Sequence, residues 1–437
     1  MIPILPPAET APQPVPPVVT LDLAGALARA KAENPMLKAA KARVTERQGL
    51  ITTTRADALP QLTLAGDFTR IRDASILSSN LGQSFGPVVE AITGQPFDIT
   101  KMAAPTNMYT TQATLSQPLF YFGKLGTAIE IAKMGEKEAS LGYTTAELDT
   151  LHGVAKAYIG ALAAQAELEV VQTRLRTAEQ FLSDVKAKLE VQSATELDRL
   201  RAESEYLAVV PENLNAEANA KRAIELLNGA LGLDPHTPLR LTDPGSPDTQ
   251  LPAASGERSE IAQFKQQEAM YRANDKIIKA DLRPKFDFNA SYGYQAGKTN
   301  NLFKEPYDTW KVNVTMRFPV FDGLRSSGKR AQNRAQLEQV TQSRIDKERA
   351  IAVEKSTAER EMTKALAFQE AARKAYDAAR EALRNSRESY DQGLITSLDL
   401  LQAERAERQM ESQRRRAQLG VWTALFDVRR AGGLAPL

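Results

Sequence analysis

The sequence predicts an α+β membrane protein: a tandem helix-strand-strand-helix-helix repeat, three copies of which would supply a 12-stranded β-barrel set on a long coiled-coil α-barrel. Three observations point there. Four segments alternate apolar and polar side chains over about the length that crosses a bilayer at a tilt. Two helical stretches of roughly 65 residues contain no proline, which permits rods of about 100 Å at 1.5 Å per residue. The order of elements, with several of the residues themselves, recurs 201 positions later.

In chain order, Pro3 to Pro17 give an extended, polyproline-like lead-in, residues 1–20. Leu21 to Asn34 is helical by composition. Pro35 opens a second helix that stops before Pro60, because proline disfavours the α region for its predecessor. A strand is expected over 61–71, then a Ser/Gly/Pro-bearing excursion over 72–107, then a strand over 109–117. The first rod runs from Gly126 to Gln192, and a tip at 192–195 reverses the chain. Helix resumes to Leu231 with an interruption at Pro211, which has no N–H to donate. Residues 232–256, rich in Pro, Gly, Asp and Ser, connect to a second pass. That pass reads helix over 257–281, strands over 286–295 and 309–318, a rod over 325–391, a tip at 392–396 and helix to Arg430, with 432–437 as a tail. The repeats are therefore expected at 21–231 and 257–431.

The strands carry most of the argument. Trp310, Val312, Val314, Met316 and Phe318 share one face, while Lys311, Asn313, Thr315 and Arg317 share the other, since strand side chains alternate with period two. Phe286, Phe288, Ala290, Tyr292 and Tyr294 alternate in the same way with Asp287, Asn289, Ser291 and Gly293. Each strand touches a proline, at 60, 118, 284 or 319, as suits a switch between strand and helix. Four strands cannot close a barrel, and an open sheet edge cannot sit in lipid with unpaired backbone groups. Three chains would close one, with the apolar face turned to lipid and the polar face lining an aqueous bore.

The repeat is visible in the residues themselves. Thr195-Glu-Leu-Asp-Arg-Leu-Arg-Ala-Glu203 matches Thr396-Ser-Leu-Asp-Leu-Leu-Gln-Ala-Glu404, and Pro118 and Pro319 share the same 201-residue offset. In the second rod, Ile351, Ala358, Met362, Ala365, Ala372, Tyr376, Ala379, Leu383 and Tyr390 fall on a 3.5-residue seam of the coiled-coil type. A soluble long coiled coil would explain that seam equally well. It would not explain the amphipathic strands.

Composition removes other classes. With 56 basic and 54 acidic residues the net charge is +2, which singles out neither nucleic acid nor an acidic ligand. Cysteine is absent and His152 and His236 are the only histidines, so thiolate chemistry, most zinc sites and a histidine triad are unavailable. We expect no enzyme and no cofactor or metal. No apolar run of about 18 residues exists for a transmembrane helix. Met1 to Pro7 lack the basic and apolar segments of an export signal. Gly323-Leu-Arg-Ser-Ser-Gly-Lys329 has phosphate-loop spacing, but Arg330 stands where a magnesium-binding Ser or Thr belongs, so an NTPase is a minor alternative. Arg414, Arg415 and Arg416 share a helix with Glu404, Glu407 and Glu411 and read as a solvated face, not as a nucleic-acid site.

From Leu21 to Arg430 the chain resembles TolC-family outer-membrane efflux proteins. The resemblance rests on the opening Leu21-Asp-Leu-Ala-Gly-Ala-Leu-Ala-Arg-Ala-Lys-Ala-Glu-Asn-Pro-Met-Leu37, on Gln117-Pro-Leu-Phe120 and Phe318-Pro-Val-Phe-Asp-Gly323 at the strand-to-helix switches, and on Tyr390-Asp-Gln-Gly-Leu-Ile-Thr-Ser-Leu-Asp-Leu-Leu401 at the second tip. It implies a homotrimer in the bacterial outer membrane with a periplasmic α-barrel. Such a trimer is a passive exit duct that serves an inner-membrane pump or a type I secretion system through a periplasmic adaptor. Residue by residue, it implies a constriction at Asp399, with Gln402 where the family carries a second acid, and a latch between Tyr390 and Asp198. The family's latch arginine falls on Ile395. The implied adaptor-docking tips are Gln192 and Ser193, where the family has a Gly-Leu pair, and Gly393 and Leu394.

Overall fold

The computed structural model describes residues 19–72, 81–95, 105–249, 256–392, 394–395 and 397–437. The lead-in lies outside these residues except for Val19 and Thr20, which belong to β1. The elements are β1 Val19–Leu21, α1 Leu23–Glu33, α2 Pro35–Ala56, β2 Gln61–Ile71, α3 Leu81–Thr93, β3 Thr106–Phe120, α4 Lys124–Glu190 and α5 Glu196–Leu231, then β4 Leu239–Leu241, α6 Ser259–Asp281, β5 Lys285–Ala296, β6 Asp308–Arg317, α7 Arg325–Asp391 and α8 Ser397–Ala431. Both rods, α4 and α7, are 67 residues long, and they start at Lys124 and Arg325, 201 positions apart.

The chain divides into two compact units, each drawing on both halves of the sequence: residues up to Thr45 with Lys137–Gln266 and Val340–Leu437, and Glu46–Glu136 with Gln267–Gln339. The second unit holds a four-stranded antiparallel sheet in the order β2-β3-β5-β6. Its register sets apolar residues opposite one another: Leu62 and Leu64 pair with Leu115 and Ala113, which pair with Ala290 and Tyr292, which pair with Val312 and Trp310. Directly opposed residues share a face, so the sequence alternation becomes one apolar and one polar side. β3 runs through 15 residues, longer than the expected 109–117, because it is paired along both edges. At Gly293 β5 lies close against β3; a Cβ there would stand 2.1 Å from the Thr111 carbonyl oxygen.

In the first unit the core joins Leu23, Ala26 and Ala30 of α1, Val154 and Tyr158 of α4, Leu227 of α5, Met362 of α7 and Val421 and Phe426 of α8. Two short strands that sequence reasoning does not find, β1 and β4, pair in parallel beside it. The buried Tyr158 ties them down: its hydroxyl shares its one proton between the Leu21 and Thr242 carbonyls, 3.0 and 2.7 Å away, and accepts from the Thr242 amide at 3.1 Å. The expected seam of α7 is its inner face, with Ala358, Met362, Ala372 and Leu383 buried.

Two further differences from expectation have local causes. α5 is continuous through Pro211. The carbonyl that proline leaves without a donor belongs to Leu207, an exposed residue, and the other turns of the helix suffice to carry it through. The excursion after β2 contains the helix α3, whose apolar residues lie at helical spacing around Pro87.

At the ends of the shorter helices two splices recur. The Asn34 side chain caps α2 by accepting from the Met36 and Leu37 amides, at 2.8 and 3.3 Å, while its amide donates to the Ala230 carbonyl at the end of α5, 2.8 Å away. Gly232 ends α5 in the left-handed region, φ 72°, close against Glu33. At the start of α6 the splice is ionic: the buried Arg258 and Arg430 both donate to Glu260, at 2.5 and 2.8 Å. Arg258 also reaches Glu354 of α7 at 2.8 Å, and Arg430 reaches Asp149 of α4 at 2.6 Å.

Candidate functional site

The first hairpin tip follows from a helix stop and a helix start. α4 closes with the Ser193 amide donating to the Lys188 carbonyl at 2.7 Å and the Gln192 amide to Leu189 at 3.0 Å. This closure needs a left-handed residue between the helix and the reversal, the place glycine usually takes. Gln192 holds it, at φ 56°. Thr195 then caps α5 in a reciprocal box: its hydroxyl accepts from the Asp198 amide at 3.2 Å, and the Asp198 carboxylate accepts from the Thr195 amide at 3.0 Å and from its hydroxyl at 2.6 Å. These bonds hold the Asp198 carboxyl below its usual range.

At the second tip the Leu394 amide donates to the Ser389 carbonyl at 2.8 Å, spanning the same number of residues as the Ser193 bond. Gly393, the expected docking glycine, lies outside the described residues. Asp399 falls in the first turn of α8, where a negative charge is favoured by the helix dipole, and it and Gln402 are exposed. Tyr390 is exposed, and within one chain the structure does not join it to Asp198, whose carboxylate is occupied by Thr195. Gln192, Ser193 and Leu394 are exposed, Leu394 to 72%.

Sequence reasoning missed the ion pairs that tie α8 to its neighbours. Arg387 meets Glu404 at 3.3 Å, Arg405 meets Glu205 at 3.3 Å, and Arg416 meets Glu167. Arg414 stacks over the Tyr376 ring at 5.0 Å and Arg415 pairs with Glu411 at 3.0 Å. Arg415 and Arg416 are exposed as expected, whereas Arg414 is half-buried against Tyr376, and the triplet bridges helices. Alternating charge along a helix was the available signal, but it names no partner.

The sheet supplies the other candidate surface. Trp310, Val312, Val314, Met316, Phe318 and Tyr292 are all exposed, Trp310 to 72%, and Phe286, Phe288 and Tyr294 are half-buried by their strand neighbours. On the opposite side the Ser116 hydroxyl donates to the Asn289 carboxamide at 3.0 Å and Asn313 donates to Thr315 at 2.9 Å. Among the described residues the two outer strands, β2 and β6, each pair along one edge only. An apolar face this large on an ordinary soluble protein would be covered.

The phosphate-loop spacing does not build a phosphate cradle. The turn before α7 is occupied by Asp322, which accepts from the Ser326 amide at 2.8 Å, and β6 is an antiparallel edge strand. Among the described residues no group of three or more His, Cys, Asp or Glu side chains is placed to hold a metal, and no helix is long and apolar enough to cross a membrane.

A bare apolar sheet with a polar reverse, in one chain with hairpins built on 67-residue helices, fits a class: proteins that meet lipid through strands and water through helices. The profile described as "Outer membrane efflux protein" matches residues 26–233 and 251–434, and the chain belongs to that family of outer-membrane channels, which are not enzymes. Among its relatives, the alkaline protease secretion protein AprF of Pseudomonas aeruginosa is 24% identical over 344 residues, covering 76% of this chain and 70% of AprF. The pyoverdine export outer membrane protein OpmQ of the same organism is 23% identical over 330 residues, covering 74% and 66%. The fold is similar to that of the outer membrane protein VceC of Vibrio cholerae, with a TM-score of 0.75 at 19% identity over 95% of this chain and 97% of VceC. The CmeC outer membrane channel of Campylobacter jejuni gives a TM-score of 0.77 at 15% identity over 95% of this chain and 86% of CmeC.

Proposed function

We propose that three copies of this chain close a 12-stranded barrel in the bacterial outer membrane. Their helical hairpins form a periplasmic duct that takes its cargo from an inner-membrane pump through a periplasmic adaptor. One observation carries the reading: the sheet has a bare apolar face and two outer edges with no partner among the described residues, and strands in lipid must be paired on both edges. Only further strands satisfy both conditions. The relatives' names, protease secretion and pyoverdine export, fit a duct whose cargo is chosen by the pump. The chain is organised as two repeats, 21–231 and 257–431, joined by 232–256; two 67-residue rods at one offset support this.

The duct narrows at the tips of the second hairpins, where three copies of Asp399 form a negative ring with Gln402 beside it. Tyr390 and Asp198 lie at the same level, with Asp198 held by its cap. The exposed tip residues Gln192, Ser193 and Leu394, with Gly393, form the adaptor-docking surface. A ring of carboxylates favours cations and is sensitive to divalent ions. The test is the mass of detergent-extracted protein together with conductance in planar bilayers. Trimers that form pores are expected, and a water-soluble monomer without conductance overturns the reading. Asp399→Ala should weaken divalent-cation block several-fold, and an unchanged block removes Asp399 from the constriction.

A further inference from the structure

Where its strands meet the helices, the polar face of the sheet carries an excess of positive charge. Lys285 opens β5 and Arg317 closes β6, and the register sets them directly opposite one another. Both fall on the side of Asp287, Asn289 and Thr315, away from Phe286 and Met316. Like charges paired across two strands oppose the pairing, so each calls for a neutralising partner. Lys285 has one in Asp281, the last residue of α6, at 3.2 Å. That carboxylate is already engaged by Lys124 of α4 at 2.7 Å, and Lys329 of α7 stands 3.8 Å from its other oxygen. Three ammonium groups therefore share one negative charge.

Nothing nearby restores the balance. Asp287, two residues further along β5, is engaged by a neutral donor, the Tyr121 hydroxyl at 2.6 Å. Arg317 is exposed and, among the described residues, has no carboxylate within ion-pair distance. Four cations against two carboxylates leave a net +2 in each copy. A cluster that only anchored strands to helices would match its charges. The buried splice at the start of α6 does so: Arg258 and Arg430 are met by Glu260, Glu354 and Asp149.

We propose that Lys124, Lys285, Arg317 and Lys329 form a binding site for polyvalent oxyanions at the helical end of the sheet. This rests on the proposed closure of three copies, which turns the polar face inward and sets the cluster three times around the bore. Rings of Lys and Arg are how anion and phosphate pores hold their ions, and low-dielectric walls concentrate the field of such a ring. The Arg317 guanidinium supplies the forked pair of donors that fits two oxygens of one phosphate or carboxylate, while the lysines supply charge. Cargo then passes two rings of opposite sign, carboxylates at the tips and cations where helices give way to strands.

The test is block of conductance by inorganic triphosphate, added to the barrel side of full-length protein in planar bilayers at constant ionic strength. A concentration-dependent block of the wild type is expected. Lys285→Gln combined with Arg317→Gln should raise the half-blocking concentration by about tenfold or more, whereas Arg317→Lys, which keeps the charge, should hold it within about threefold. Lys329→Gln lies outside the sheet and should also raise it, which separates loss of the site from loss of strand pairing. Conducting trimers that triphosphate does not block, or blocks equally in the wild type and in both Gln variants, overturn the inference and leave the duct standing. Wild-type protein that forms no pores overturns both.

Discussion

Gln192 holds a backbone angle, φ 56°, that costs a residue with a Cβ about 1–2 kcal/mol and glycine almost nothing. The cost is carried by the closure of α4 at Ser193 and by the Thr195–Asp198 box on the far side of the turn. Replacing Gln192 by glycine should stabilise the first tip by a few tenths to about 1 kcal/mol, after the entropy of the freer unfolded chain is counted. Hydrogen exchange of the amides flanking the tip reads this, and faster exchange in the glycine variant contradicts it. Gly293 is the opposite case. A methyl group there meets the Thr111 carbonyl at 2.1 Å, backbone that cannot step aside. Gly293→Ala should therefore cost at least about 2 kcal/mol and sharply reduce the yield of assembled protein, whereas Gly66→Ala, whose Cβ would stand 4.0 Å from its nearest neighbour, should not. The sequence showed at Gln192 that a family glycine was missing, but not that the residue sits in the left-handed region.

At the scale of elements, the helices are spliced by polar groups that stay paired. Burial by itself would raise the Glu260 carboxyl, but hydrogen bonds from Arg258 and Arg430 overcome that and hold it at about 2. A carboxyl lowered in the folded protein contributes stability above its ordinary value of 4.5, and that contribution is lost as pH falls through about 2. Glu260→Gln leaves two buried guanidiniums without their shared counter-charge and should destabilise the fold by about 3 kcal/mol at neutral pH. The variant should also lose the part of the acid-unfolding slope between pH 4.5 and 2 that the wild type shows, measured by denaturant midpoints across that range. An unchanged slope would assign the acid sensitivity to other carboxylates. Tyr158→Phe removes a hydroxyl that bonds the Leu21 and Thr242 carbonyls and the Thr242 amide, and should cost about 1–3 kcal/mol, seen as early exchange of the β1 and β4 amides. None of these splices was legible in the sequence. Arg258 and Glu260 are two positions apart and look like any solvated pair, and their decisive partner, Arg430, is 170 residues from Glu260.

For the whole molecule, the amino-acid sequence by itself determined the strands, the rods and the 201-residue offset between the rods. Period-two alternation, the absence of proline over long stretches and a fixed offset are local signals that need no knowledge of what lies alongside. It also carried the family, through motifs at the strand-to-helix switches. What only the tertiary structure decided depends on partners far along the chain. The register aligns Leu62, Leu115, Ala290 and Val312 across the sheet. β1 and β4 are three-residue strands that exist because Val19 meets Leu239. Buried charges gather at the helix ends. Short-range periodicity fixes which side of an element is apolar, whereas what covers that side is settled by packing between segments distant in sequence.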